Sequence, residues 1–192
     1  VIRTLYPFLK AELFLKWKDS EIKAQVTEYV DALAQANLIF VDDEDFIFSP
    51  APNSEDHNQL AVLAAPVRQS LERYYMTLAL ITQRGSGNIS IRQVEELSHL
   101  VGQRLSVLYE FNSPEFFDKA LFQSFMKVLT EQGYIKTNED HAIVFDEQFR
   151  NVAQYANLVL DDVTLQMLHH ITSFTDEELK EALDAVAAQQ SK

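Results

Sequence analysis

The sequence predicts a mainly α fold with two small β-hairpins, arranged as tandem winged-helix-like units within a helical bundle. Three observations carry this. Only 4 Gly and 5 Pro interrupt 192 residues, which favours long helices over a turn-rich β fold. Apolar residues recur at i, i+3 and i+4 over most of the chain. Two helix ends are each followed by β-rich runs around a polar turn, LIFV-DDED-FIF and YIKT-NEDH-AIVF.

The elements follow in order. Residues 2–15 form an amphipathic segment on Leu5, Phe8, Leu9, Leu13 and Phe14, with Pro7 near its start. Asp19 or Ser20 is placed to cap the next helix, which turns Ile22, Val26, Tyr29, Val30 and Leu33 inward and runs to about Ala36. Asn37 suits the left-handed position that ends it. The first hairpin follows, so residues 1–50 read as a winged-helix-like unit. Residues 51–58 read as a linker, rich in small and polar residues.

Residues 59–192 read as a larger helical unit with the second hairpin at about 134–145. Its longest stripe is Leu60, Leu63, Val67, Leu71, Tyr74, Tyr75, Leu78 and Ile81, and Pro66 either kinks that helix or starts it. Gly85-Ser86-Gly87 ends it, and Ser90 with Gln93 has capping-box spacing. The next stripe, Val94, Leu97, Val101, Leu105, Leu108 and Phe111, stops near Asn112. Ser113, Pro114 and Glu115 then suit a new helix start, with Phe117, Leu121, Phe125 and Val128 buried. This corner, dense in Tyr109, Phe111, Phe116, Phe117, Phe122 and Phe125, is expected at the centre of the larger core.

Leu129 to Ile135 repeats Leu33 to Ile39: leucine in the last turn, Gly133 or Asn37 at the stop, then an apolar strand. Asp146 is placed to cap a helix on Phe149, Val152, Ala156 and Val159. Val163, Leu168 and Ile171 continue on a further helix. Thr175 and Glu178 form a capping box flanked by the staple pair Phe174 and Leu179, for a last helix through Leu183 and Val186.

The formal charge of −13 argues against binding a phosphate backbone or an anionic headgroup. Neither helix before a hairpin is basic: Lys23 faces Glu21, Glu28 and Asp31, and Lys119 and Lys127 face Asp118 and Glu131. A nucleic-acid partner is therefore not expected. The absence of cysteine removes disulfides, thiolate metal sites and thiol nucleophiles. No apolar run approaches the ~20 residues that cross a bilayer, so the segment reads as soluble. Beginning at Val1 with no methionine and no signal peptide, it reads as a fragment of a longer protein.

QRLSVLYEFNSPEFFDKALF at residues 103–122 resembles a block near the C-terminus of the bacterial, membrane-associated glycerol-3-phosphate 1-O-acyltransferases. LYPFLKAELFL at 5–15 resembles the same family in the same order, and LERYYMTLAL at 71–80 fits between them. The resemblance implies a parent that moves an acyl chain from acyl-ACP or acyl-CoA to glycerol 3-phosphate, the first step of phospholipid synthesis. It implies a location at the cytoplasmic face of the inner membrane, with an upstream catalytic domain of the same chain as partner. It places this segment as a non-catalytic support module. A free-standing winged-helix-like interaction or regulatory module is the competing class.

No residue is assigned a catalytic, cofactor-binding or metal role, and no cofactor is expected. His141 and Asp146 match the spacing at which glycerolipid acyltransferases pair a general-base histidine with an orienting aspartate, with four residues in between. His141 nevertheless falls in a hairpin turn, Asp146 is explained as a helix cap, and no glycine- and arginine-containing phosphate segment follows. His169 and His170 are adjacent, so on a helix they point about 100° apart and cannot chelate together. His57 and His99 are isolated. Asp42 to Asp45 lack the spaced oxygens and glycine of a calcium loop. Arg104 is expected to pair with Glu110 or Asp118, and Trp17 faces either the core or a partner.

Overall fold

The computed structural model describes residues 2–109, 118–155, 158–175, 177–178 and 180–181, with backbone alone for 103–109. In chain order the elements are α1 (Ile2–Leu13), α2 (Ile22–Gln35), β1 (Phe40–Val41), β2 (Ile47–Phe48), α3 (Glu55–Arg84), α4 (Ile91–Tyr109), α5 (Lys119–Glu131), β3 (Ile135–Thr137), β4 (Ile143–Phe145), α6 (Glu147–Tyr155) and α7 (Asp162–Thr172). The fold is thus mainly helical, with two antiparallel hairpins.

Helix α3 is the spine. Ser54 Oγ accepts from the His57 amide at 3.1 Å, and Glu55 and Asp56 place negative charge in the first turn. The helix therefore begins inside the expected 51–58 linker, and Pro66 lies within it rather than at its start. Its first half stands in solvent, with Val62 73% and Leu63 59% exposed. Its second half is buried from Ser70 to Ile81. Gly85, at φ 81, ends it in the left-handed region that glycine enters without a Cβ penalty.

Against that half pack α1, α4, α5, α6 and α7. The aromatic centre joins α1, α3 and α5. The rings of Tyr74 and Phe125 stack at 4.4 Å and 5°, and Phe8 lies 5.1 Å from Phe125 and 6.0 Å from both Tyr74 and Tyr134. Val94, Leu97, Val101, Leu129, Phe149 and Leu168 extend this core with no exposed surface. Phe122 and Phe125 of the expected corner belong to it, whereas Phe111, Phe116, Phe117, the Ser113–Pro114 start, and the Tyr109 and Arg104 side chains lie outside the described residues.

The expected caps are present at Ser90 with Gln93, at Asp146 and at Thr175 with Glu178. The Leu183 and Val186 turns lie outside the described residues. Some expectations need correction. Helix α2 starts after Glu21, not at Asp19 or Ser20, and no side chain caps it; the Glu21 carboxylate instead accepts from the Lys18 amide at 2.7 Å. Helix α5 is capped by Asp118, which accepts from the Ala120 and Leu121 amides. Tyr29 is 51% and Val163 77% exposed, so neither points inward.

The two hairpins share one geometry displaced by 96 positions. Phe40 pairs with Phe48 and Val41 with Ile47; 96 residues on, Lys136 pairs with Val144 and Thr137 with Ile143. The helix ends before them match as well. Leu38 N–H donates to Leu33 O, and Tyr134 N–H to Leu129 O, both at 2.9 Å. Each is the long bond of a Schellman stop, with Asn37 (φ 57) or Gly133 (φ 77) in the left-handed position. The turns match too: Asp45 (φ 65) corresponds to His141 (φ 59).

Candidate functional site

A buried polar cluster lies where α1 crosses α3. Glu12 follows Phe8 by one helical turn, so a carboxylate falls on the apolar face of α1. It accepts three hydrogen bonds at 2.6 Å: Oε1 from Ser70 Oγ and Arg73 Nη2, Oε2 from the Tyr74 hydroxyl. The side chains of Arg73 and Glu12 are only 6% and 10% exposed. Tyr74 also lies 3.2 Å from the Phe8 carbonyl. Burial, and then the bond to Glu12, push its phenol far above the usual range, so it stays a donor.

Such a carboxylate is consumed by its donors. A general base needs a free lone pair aimed at a substrate proton, and Glu12 is engaged on both oxygens. The sequence carried a signal for this node: a glutamate at a core-facing position of α1, answered by arginine and serine beside Tyr74.

A second network ties α3 to α7. Arg68 donates to Glu72 Oε1 at 2.9 Å, to Asp161 Oδ2 at 2.7 Å and to Thr164 Oγ1 at 2.7 Å. Asp161 caps α7 by accepting from the Thr164 amide at 2.8 Å. That amide, with the Thr164 hydroxyl and Arg68, holds the Asp161 carboxyl below its ordinary 3.8.

Beside the first cluster lies a cavity of about 160 Å³ whose lining includes Arg73, Ser98, His99, Lys119 and Phe122. Among the described residues Ser98 Oγ is buried there without a hydrogen-bond partner, and Lys119 is paired with Glu95. The lining mixes both signs of charge, so it presents no concentrated field to an anion.

The sequence candidates fall elsewhere and apart. His141 occupies the exposed tip of the second hairpin, where its amide donates to Asn138 O. Asp146 caps the Gln148 amide at 2.9 Å. Among the described residues no bond joins them. His169 and His170 are exposed on α7, and His57 and His99 sit on different helices. Asp42 Oδ1 accepts from the Glu44 and Phe46 amides, so that acidic run is organised as a turn. Trp17 is half-buried, edge-on to Tyr29 at 5.9 Å. Among the described residues no group of three His, Cys, Asp or Glu is placed to hold a metal. No helix among them is long and apolar enough to cross a membrane.

The family profile described as "Glycerol-3-phosphate acyltransferase C-terminal region" matches residues 1–138, a stretch that ends before His141 and Asp146. A glycerol-3-phosphate acyltransferase of Pseudomonas fluorescens (strain Pf-5) is 35% identical over 154 residues, covering 80% of this chain and 18% of that relative. Its counterpart from Pseudomonas aeruginosa (strain LESB58) is 36% identical over the same length, with the same coverage. The counterpart from Pseudomonas entomophila is 34% identical over 153 residues. The chain thus spans about a fifth of the length of these relatives. No solved structure matches it significantly. By the extent of the profile match and by these identities, the chain belongs to the glycerol-3-phosphate acyltransferase C-terminal region family.

Proposed function

We propose that this chain is the non-catalytic C-terminal support module of a glycerol-3-phosphate 1-O-acyltransferase. The whole enzyme moves an acyl group from acyl-ACP or acyl-CoA to the first hydroxyl of glycerol 3-phosphate. It works at the cytoplasmic face of the inner membrane, with the chemistry performed upstream of this segment. The segment holds no catalytic, cofactor or metal residue. Its architecture is two winged-helix-like units, the first within residues 1–50 and the second within the larger unit 59–192. The common register of the two hairpins supports that reading.

The observation that carries the support role is the engagement of both oxygens of Glu12, whose side chain is 10% exposed, by Ser70, Arg73 and Tyr74 across the α1–α3 contact. Buried polar groups bonded to one another in this way fix the relative placement of the helices that carry them. The test is acyl transfer to glycerol 3-phosphate by the full-length protein with and without residues 1–192, and by the segment alone. Loss of activity on deletion, with none in the segment, is the expected result. Full activity after deletion, or turnover by the segment, ends the proposal.

A further inference from the structure

The displacement of 96 positions makes the second unit a template for the first. In the second unit a strand-like stretch before α4 covers the outer edge of β4: Ile143 N–H donates to Ile89 O at 2.7 Å, Gly87 N–H donates to Ile143 O at 2.8 Å, and Ser90 bridges Ala142. Above it, α1 and α4 pack on α5, and Tyr74 of α3 stacks on Phe125. The result is burial: Phe125, Leu129, Ile135 and Ile143 are 4%, 0%, 1% and 0% exposed.

The first unit has the corresponding positions and, among the described residues, no such cover. The counterparts of Phe125, Ala142 and Ile143 are Tyr29, Phe46 and Ile47, which are 51%, 59% and 55% exposed. The shared register turns the Ile47 N–H and C=O away from β1, as it turns those of Ile143 away from β3. An uncovered edge flanked by large apolar side chains is a pairing template, and contiguous exposed apolar surface marks an interface.

We propose that the residues immediately preceding Val1 in the longer protein supply the missing cover. They add a short strand along β2, with the counterpart of Ser90 about seven residues before Val1 and opposite Phe46. The first unit is thereby completed by chain that leads from the upstream part of the enzyme, and the two parts are fastened through a shared sheet. This rests on the reading of the chain as the C-terminal module of a longer protein.

The test uses the full-length protein and this chain side by side. Amide hydrogen exchange is expected to be at least about tenfold slower at Ile47 in the full-length protein. This chain has no cysteine. In the full-length protein, Phe46→Cys with a cysteine seven residues before Val1 is expected to form a disulfide on mild oxidation, since bridged partners lie within the ~4.4–6.8 Å Cα range. Val62→Cys with the same upstream cysteine is expected to stay reduced. Unchanged exchange at Ile47 overturns the proposal. Slowed exchange without the Phe46 cross-link also overturns it, because another part of the protein then covers the edge. Both readouts are independent of acyl transfer, so loss of the support role would leave them intact.

Discussion

Replacing Glu12 with leucine keeps a side chain of similar bulk on α1 and removes the acceptor that three groups share. Arg73 loses a carboxylate at 2.6 Å in a site where its side chain is 6% exposed. Ser70, itself 2% exposed, loses the acceptor of its hydroxyl. Tyr74 keeps only the longer contact to the Phe8 carbonyl at 3.2 Å. Removing one partner of a buried pair typically costs about 3–5 kcal/mol, because the other charge stays buried. Screening does not reduce this here, since water reaches neither side chain appreciably. For a chain of this size about 1 kcal/mol moves Tm by roughly 2–4 °C, so Glu12→Leu should lower Tm by roughly 6–20 °C in a circular dichroism melt. Glu12→Gln, which keeps an acceptor for Arg73 and Ser70, should cost less. A Glu12→Leu shift below about 3 °C, or about 1 kcal/mol, would show that the cluster does not hold α1 on α3.

The other predictions address the core, the caps and the rejected catalytic pair. Phe8→Ala removes the α1 ring from the Tyr74–Phe125–Tyr134 centre and should cost about 3–5 kcal/mol in a denaturant titration. Because the Asp161 carboxyl is held below 3.8 in the fold, the unfolded chain binds more protons in acid. Its stabilising contribution is complete above about pH 4 and is lost as pH falls through the depressed value; Asp161→Asn should therefore flatten the decline of Tm between pH 5 and 2. Gly133→Ala places a Cβ with no neighbour within 4 Å at φ +77, so its cost is backbone strain alone, about 1–2 kcal/mol by equilibrium unfolding. His141→Ala and Asp146→Asn should leave acyl transfer by the full-length protein unchanged; a loss above tenfold would restore them as catalytic residues.

Local signals read well where the answer is local. The capping boxes at Ser90 and Thr175, the Asp146 cap and the left-handed stops at Asn37 and Gly133 each need only residues within one or two turns, and all are present. Both hairpins follow from apolar runs around polar turns. The reading failed where neighbours decide. Asp19 and Ser20 are good capping residues, but Glu21 reaches back to Lys18 instead. Tyr29 has the periodicity of an inward residue and is 51% exposed, with an edge-on ring contact to Trp17 among the described residues.

The sequence alone determined the helical class, the two hairpins and their common stops, because periodicity, caps and turn residues act over a few positions. It also carried the family, in blocks long enough to be specific. Only the folded arrangement decided which polar groups meet. Glu12 and Arg73 are 61 positions apart, and Arg68 and Asp161 are 93 apart, so no local pattern pairs them. The same holds for the two hairpin edges: their registers match, yet among the described residues one is covered and the other is not, since burial belongs to what packs across from a strand and not to the strand itself.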